Sequence, residues 1–339
     1  MRISYICINP RASFRKLHVG IVSYLGNFLA ERALDSNDTS NDVASGCIIV
    51  SELATSRRRF AEELRATAHL TSDGLVDAFA KVPRKRFMGH GPWQICVFAD
   101  DGSWSYRSTD SDDPIHVYGD VLIGIDSARG LNNGEPSSLA AWIESLALRS
   151  GETVVHIGSG TGYYTAILAE LVGSSGIVLA CEIEPILAAR AEENLRPWNQ
   201  VTVSPTNGFE LPFGKCDAIF VNCGVTHPSL AWLTRLRMNG RLLLPVTASS
   251  NETGIGRGAM FLITRRAVGF AVRYLSQVGI FSCLGGRSEA LNQALLAKTK
   301  ESWSNVQSVR IDQHVEDRSC WLHTDMCCLS ESPAQVHAA

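Results

Sequence analysis

The run Gly158-Ser-Gly-Thr-Gly162 lies between a β-rich pentad, Thr153-Val-Val-His-Ile157, and a helical stretch, Tyr163 to Val172. Glycines at such a junction permit a tight turn and close backbone approach, and the first N–H groups of the helix are left facing whatever occupies the turn. The alternation continues. Ile177 to Cys181 reads as a second strand, and Pro185 opens a helix where its missing N–H costs nothing. Leu187, Ala191 and Leu195 line one face of that helix, and Pro197 stops it. Val201-Thr-Val203, Ala218 to Val221 and Arg241 to Leu244 are further strands, with a helix from about Pro228 to Leu236 before the last. This order predicts an α/β fold, a doubly wound, mostly parallel, Rossmann-like sheet with helices on both faces. Ligands of such sheets bind beyond the carboxyl ends of the strands, so the chemistry is sought there.

Composition excludes several alternatives. In 339 residues the hydrophobic share is 45% and the charged share 19%, enough apolar material for a large core and too much for a disordered chain. A formal net charge of -3 leaves no basic excess to hold a phosphate backbone, so nucleic acid is not an expected partner. The ten cysteines contain no CxxC pair, which reads as buried thiols in a reducing compartment; no metal is expected, and the cytoplasm is the expected location. No run of about 18 apolar residues is present, and no membrane association is expected. Before the alternating region, Val19 to Leu34 has an amphipathic helical pattern and Asp35 to Asp42 is polar. Phe60, Leu64 and Ala68, then Leu75, Ala78, Phe79 and Val82, form helical stripes that predict cover for a sheet, while residues 93–130 have no period and suggest short strands and loops.

Two features at the strand ends narrow the ligand. Glu182 closes the second strand, where a carboxylate accepts both ribose hydroxyls of a nucleoside. The third glycine arrives one residue earlier than in the GxGxxG dinucleotide fingerprint, which disfavours a dehydrogenase. The resulting GxGxG resembles the first motif of class I S-adenosylmethionine-dependent methyltransferases. That likeness places Asn207-Gly208 beside the adenine and Asn222 near the methyl-transfer region, although Asn207-Gly208 also reads as a plain turn.

From about Leu75 to Gly285 the sequence further resembles the protein-L-isoaspartate (D-aspartate) O-methyltransferases. The resemblance rests on Val82-Pro-Arg-Lys-Arg-Phe87, Tyr118 and Asp120 ahead of Leu122-Ile-Gly124, His156 to Tyr163, Gly240 to Pro245 and Val278-Gly-Ile-Phe281. It implies the fold, S-adenosyl-L-methionine as cofactor, a role in protein repair, and an isoaspartyl carboxylate of a protein or peptide as methyl acceptor. The cofactor set it implies is His156, Gly158, Ser159, Gly160, Gly162, Tyr163, Glu182, Asn207, Gly208 and Asn222. Three positions depart from the pattern. Gly134, within Asn132-Asn133-Gly134-Glu135-Pro136, stands where the family has its active-site serine; His156 replaces an acidic residue, and Asn207 replaces an Asp.

A carboxylate is already a nucleophile at neutral pH, so the transfer requires placement and water exclusion rather than a base. Asn133, Ser137 and His227 are the expected substrate-positioning residues, with Asn132 and Ser138 as further donors; had the acceptor been an amine or hydroxyl, His227 would be the base. Each also has a structural reading, the asparagines in a turn and the serines and His227 at helix N-termini. Two alternatives stay open, a methyltransferase of a specialised peptide or small metabolite, and a cofactor-binding protein without turnover. The expected layout is an N-terminal extension (1–56), a helical and loop cap (57–130), an S-adenosylmethionine-binding methyltransferase domain (131–285) and a C-terminal extension (286–339) with a helix from Ser288 and added strands. The extensions are candidates for a cover over the substrate cleft or a homodimer surface.

Overall fold

The computed structural model describes residues 41–98, 104–126, 129–249 and 254–334; the helix expected over Val19 to Leu34 and most of the polar stretch after it lie outside them. The four-residue recurrence of apolar side chains forms α1 (Asn41–Thr67), which buries Phe60, Ala61 and Leu64 against α2 (Asp73–Lys81). The Ser72 side chain caps α2 by accepting the Leu75 N–H at 3.2 Å. After Pro83 comes the short α3 (Arg84–Met88). The aperiodic stretch folds as an antiparallel hairpin, β1 (Gln94–Phe98) and β2 (Trp104–Ser108), then a small ribbon, β3 (Gly124–Asp126) and β4 (Leu131–Asn132). Pro136 opens α4 (Pro136–Ser145).

The alternating region follows as β5 (Thr153–Ile157), α5 (Tyr163–Val172), β6 (Ile177–Cys181), α6 (Pro185–Leu195), β7 (Val201–Ser204), β8 (Cys216–Val221), α7 (Leu230–Arg235) and β9 (Leu236–Ala248). Then come β10 (Ile255–Arg265), β11 (Phe270–Phe281), α8 (Glu289–Leu296), β12 (Ser308–Arg310), β13 (Cys320–His323) and β14 (Cys328–Ser330). One ten-stranded sheet has the order β13-β14-β12-β11-β10-β9-β8-β5-β6-β7. The strands from β7 to β9 are parallel, and every pairing from β9 outward is antiparallel, so the sheet is mixed. The C-terminal strands lengthen this sheet instead of building a separate layer. Helix α7 is shorter than expected because Ser229, its N-cap, is extended and the helix begins only at Leu230.

Period-two alternation divides the core. Val154 and Phe220 face the side covered by α1, α2, α4 and α5, while Val155, Ile157 and Val221 face Trp232 and the C-terminal segment. No helix among the described residues is long and apolar enough to cross a membrane.

Arg84 is fully buried. Its guanidinium donates to the carbonyls of Val117 (3.0 Å), Gly119 (2.7 Å) and Val121 (2.7 Å), and lies over the rings of Phe60 and Tyr163 at 5.4 and 5.8 Å. Removing the donors strands these carbonyls, at about 1–3 kcal/mol each. Arg84→Met is therefore expected to lower unfolding stability by roughly 3 kcal/mol or more in urea titrations, and Arg84→Lys to recover little, since a single ammonium does not reproduce the planar fork. An unchanged midpoint in either variant would show that the carbonyls find other donors.

A second prediction concerns Glu135, the residue before α4. Burial pushes its carboxyl up to about 7, with the Ser138 hydroxyl opposing and Asp120 adding to the rise. Because the folded state holds this proton more tightly than the unfolded chain, ionisation costs stability. The penalty is absent below the ordinary value of 4.5, grows as pH rises toward about 7, and is constant above. Glu135→Gln should raise stability by on the order of 2 kcal/mol at pH 8 and by nothing near pH 4, as read from chemical denaturation at the two pH values.

Candidate active site

A cavity of about 340 Å³ opens beyond the carboxyl ends of β5, β6 and β8, within the size range of small-molecule sites. The parallel order turns back between β5 and β8, so the turns after these neighbouring strands face one crevice. The glycine turn forms one wall. At its end Gly162 has φ +94°, and a Cβ there would stand 2.8 Å from the Leu195 side chain, so the residue permits close contact of α5 with α6. Gly158 and Ser159 donate their N–H groups to the Cys181 carbonyl at 2.9 and 3.1 Å, which locks the turn to the end of β6.

Glu182 is 6% exposed and lines the cavity. Its two oxygens accept the N–H groups of Gly160 (2.7 Å) and Glu184 (3.0 Å). Burial raises its pKa and these backbone donors oppose the rise. A carboxylate offers about four acceptor positions, more than these backbone donors use, so capacity remains for a ligand hydroxyl. Three further lining residues carry a polar atom that is buried without a partner: Asn133 Nδ2, Ser159 Oγ and Tyr163 Oη. Orphaned groups of this kind are expensive unless a ligand meets them. Asn133 is itself rigid, since its Oδ1 accepts the Ile123 N–H at 3.1 Å and Arg84 Nη2 at 3.4 Å.

Of the residues expected from sequence, Gly158, Ser159, Gly160, Tyr163, Glu182, Asn207, Gly208, Asn222 and Asn133 line this one cavity. Asn207 also serves the turn, its Oδ1 accepting the Phe209 N–H at 3.1 Å. Four residues lie elsewhere. Gly162 acts in helix packing. His156 points from β5 to the α5 side, where Nδ1 meets Thr165 Oγ1 at 2.8 Å and the ring stacks on Phe220 at 4.7 Å. Burial pushes His156 down to about 3, so it is neutral and part of the core. Ser137 donates its backbone N–H to Asp120 at 2.9 Å, serving the start of α4. His227 contacts Thr226 Oγ1 at 3.0 Å outside the lining, and burial lowers its pKa.

Gly134, in the position of the family serine, has φ +82° with the Leu139 side chain 3.0 Å from where a Cβ would be. A serine there would be strained. Sequence reasoning missed the wall built by Ile125, Arg129 and Leu131 and the one built by Phe281 to Leu284. The first comes from the aperiodic ribbon. The second follows β11, and the strand-end rule applied to that strand would have found it. Arg129 pairs with Asp126 (2.7 Å) and Glu184 (2.8 Å), bracing the β3–β4 ribbon against the start of α6.

The sequence and the fold have counterparts among known proteins. The profile of the family described as protein-L-isoaspartate(D-aspartate) O-methyltransferase matches residues 55–257. A protein-L-isoaspartate O-methyltransferase from Thermotoga maritima is 30% identical over 52% of this chain, which spans about half (51%) of that relative. One from Ignicoccus hospitalis is 27% identical over 66% of this chain and 94% of its own length. The crystal structure of a candidate protein-L-isoaspartate O-methyltransferase from Plasmodium falciparum, in complex with S-adenosyl-L-homocysteine, superposes with a TM-score of 0.51 at 18% identity, over 67% of this chain and 97% of that one. With its central sheet, its glycine turn and well over half of its length inside the family profile, the chain belongs to the protein-L-isoaspartate(D-aspartate) O-methyltransferases.

Proposed function

We propose that this chain methylates the carboxylate of isoaspartyl residues in proteins or peptides, using S-adenosyl-L-methionine. The observation that carries the reading is the convergence on one cavity of the glycine turn, the buried Glu182 carboxylate and the unpartnered Asn133 amide. The residues present suit the cofactor. Glu182 keeps acceptor capacity for ribose hydroxyls, Asn207 and Gly208 border the adenine end that the family likeness implies, and Ser159 and Tyr163 carry buried hydroxyls that lack partners. When bound, S-adenosylmethionine supplies a methyl group on a sulfonium, open to displacement by a carboxylate oxygen.

The protein's task is then to place and to dry. Asn133 Nδ2 is a donor held at a fixed point by Arg84 and the Ile123 N–H, suited to orient an acceptor carboxylate. Ile125, Leu131, Ile183 and Leu187 contribute apolar walls. Neutralising opposite charges is favoured in such surroundings over water. Near-attack placement supplies up to about 7–11 kcal/mol, and no proton needs to be removed from an ionised carboxylate.

Gly134 supports a narrower second reading, a specialised peptide as acceptor, because the left-handed turn there leaves no place for the family serine. Tritium transfer from labelled cofactor, released as base-labile methanol, tests both readings. Isoaspartyl peptides of varied sequence should accept methyl groups and matched aspartyl peptides should not; acceptance by one peptide alone would favour the second reading, and none by any would refute both. Glu182→Gln should weaken S-adenosylhomocysteine binding about ten- to a hundredfold in calorimetry. Asn133→Ala should lower kcat while leaving that affinity nearly intact. His227→Ala should keep the rate and its pH profile; loss of rate as a histidine protonates, abolished in this variant, would indicate a base-requiring acceptor.

A further inference from the structure

The edge of the sheet farthest from the parallel strands holds a side-chain cluster unrelated to the cavity. His314, Cys320, His323 and Cys328 each bring one ligand atom within 4.8 Å of all the others. We propose that these four residues form a tetrahedral site for a divalent transition metal, best matched by Zn²⁺, which fixes the C-terminal edge of the sheet.

Strand register explains why they meet. His323 on β13 lies directly opposite Cys328 on β14, and opposed residues of an antiparallel pair share one face. Cys320 is three residues before His323, a spacing that in a regular strand sends the two to opposite faces. A bulge between Cys320 and Leu322 shifts the register and removes that conflict. His314 arrives from the loop between β12 and β13. The spacing is His-x5-Cys-x2-His-x4-Cys, in which the two cysteines sit on neighbouring strands, so a search for CxxC pairs passes over it.

The surroundings are those of a ligand set. His314 Nδ1 donates to the Asp312 carbonyl at 2.9 Å, with the Asp312 carboxylate 3.3 Å away. This fixes the tautomer and leaves the Nε2 lone pair free, the usual support of a metal-bound imidazole. Nε2 is 3.5 Å from Cys320 Sγ. Bonds of about 2.3 Å to sulfur and about 2.05 Å to nitrogen at tetrahedral angles give a separation of about 3.5 Å, so this edge of the tetrahedron is already formed. Asp317 meets Cys320 Sγ twice, its N–H donating to the sulfur at 3.3 Å and its carboxylate standing 3.7 Å away. His323 Nδ1 is buried without a partner, and Cys328 is fully buried. Arg310, opposite Cys328 on β12, has its charge matched by Asp312 and Asp317 and does not oppose a cation.

Two thiolates and two neutral imidazoles suit a borderline-soft, four-coordinate ion, and four protein ligands leave no open position for catalysis. Binding releases the two thiol protons: two S–H bonds break, two metal–sulfur bonds form, and the dication is neutralised by two thiolates. No oxidation is involved.

Metal analysis of the reduced, full-length chain after gel filtration tests the site. About one zinc per chain is expected, as for a four-ligand structural site. His314→Ala and Cys328→Ser should lose it, whereas Cys96→Ser, which alters a distant thiol, should retain it. Should the deletions fail to fold, Cys320→His preserves four ligands and is expected to keep the metal. Cobalt substitution of the native chain should give the intense visible bands of tetrahedral coordination together with a thiolate charge-transfer band, the latter weakened in Cys320→His. Reduced protein that takes up no zinc or cobalt from a metal buffer, a weak octahedral cobalt spectrum, or a Cys320–Cys328 disulfide in the freshly isolated chain would overturn the proposal.

Discussion

The Arg84 guanidinium is the contact on which the substrate side of the cavity depends. It is a full charge with no exposure, and its partners are backbone carbonyls and aromatic faces instead of a carboxylate. Neutralising it by deprotonation is not available to an arginine, so the surrounding chain has to supply a fixed set of acceptors. That requirement dictates the path of residues 117–121, whose carbonyls converge on it, and fixes Asn133 through its Oδ1. It also bears on Tyr163, a residue of the cavity lining whose ring packs against the guanidinium. The Val82 to Phe87 segment, far in sequence from the glycine turn, thus acts on the site from behind: α3 supplies a rigid donor, the donor shapes a loop, and the loop positions an amide.

What was legible in the sequence follows from where the signals are local. Strands β5, β6 and β8 are buried on both faces and read as continuous apolar runs, and the glycine turn and Glu182 follow their ends at fixed offsets. The antiparallel wing was harder. Strand β10 carries Gly256, Gly258 and the solvent-facing Arg257 in its first half, which erases both the apolar run and the alternation, and in β11 only Val278 to Phe281 carries a recognisable signal, through the family likeness. The cavity divides in the same way. Residues at the ends of parallel strands were found, while Ile125 and Leu131 come from a ribbon with no period. Ser137 and His227 each carry two readings in the sequence, substrate donor and helix N-terminus; the Ser137 N–H serves the start of α4, and His227 lies outside the lining beside Thr226. His156 shows the reverse error. It sits in a motif whose neighbours touch the cavity, yet alternation along the strand sends its side chain to the opposite layer.

The cysteines show how one residue type divides into two chemistries within a chain. Cys181, Cys223 and Cys283 all border the cavity. Burial pushes the Cys181 thiol up to about 12, and the hydrogen bond with Cys283, followed by burial, raises Cys223 well above the ordinary thiol range. Cys181 donates its proton to the Thr206 carbonyl at 2.7 Å. Cys181 and Cys223 thus stay protonated and act as small polarisable fillers, adding no negative charge near the position proposed for a sulfonium. Cys320 and Cys328 share their surroundings with His314 and His323, and Cys328 Sγ also meets the Leu329 carbonyl at 3.4 Å. Convergence with other ligand atoms, more than spacing along the chain, is what separates a filler thiol from a ligand, and that convergence is set by strand register that the linear sequence does not display.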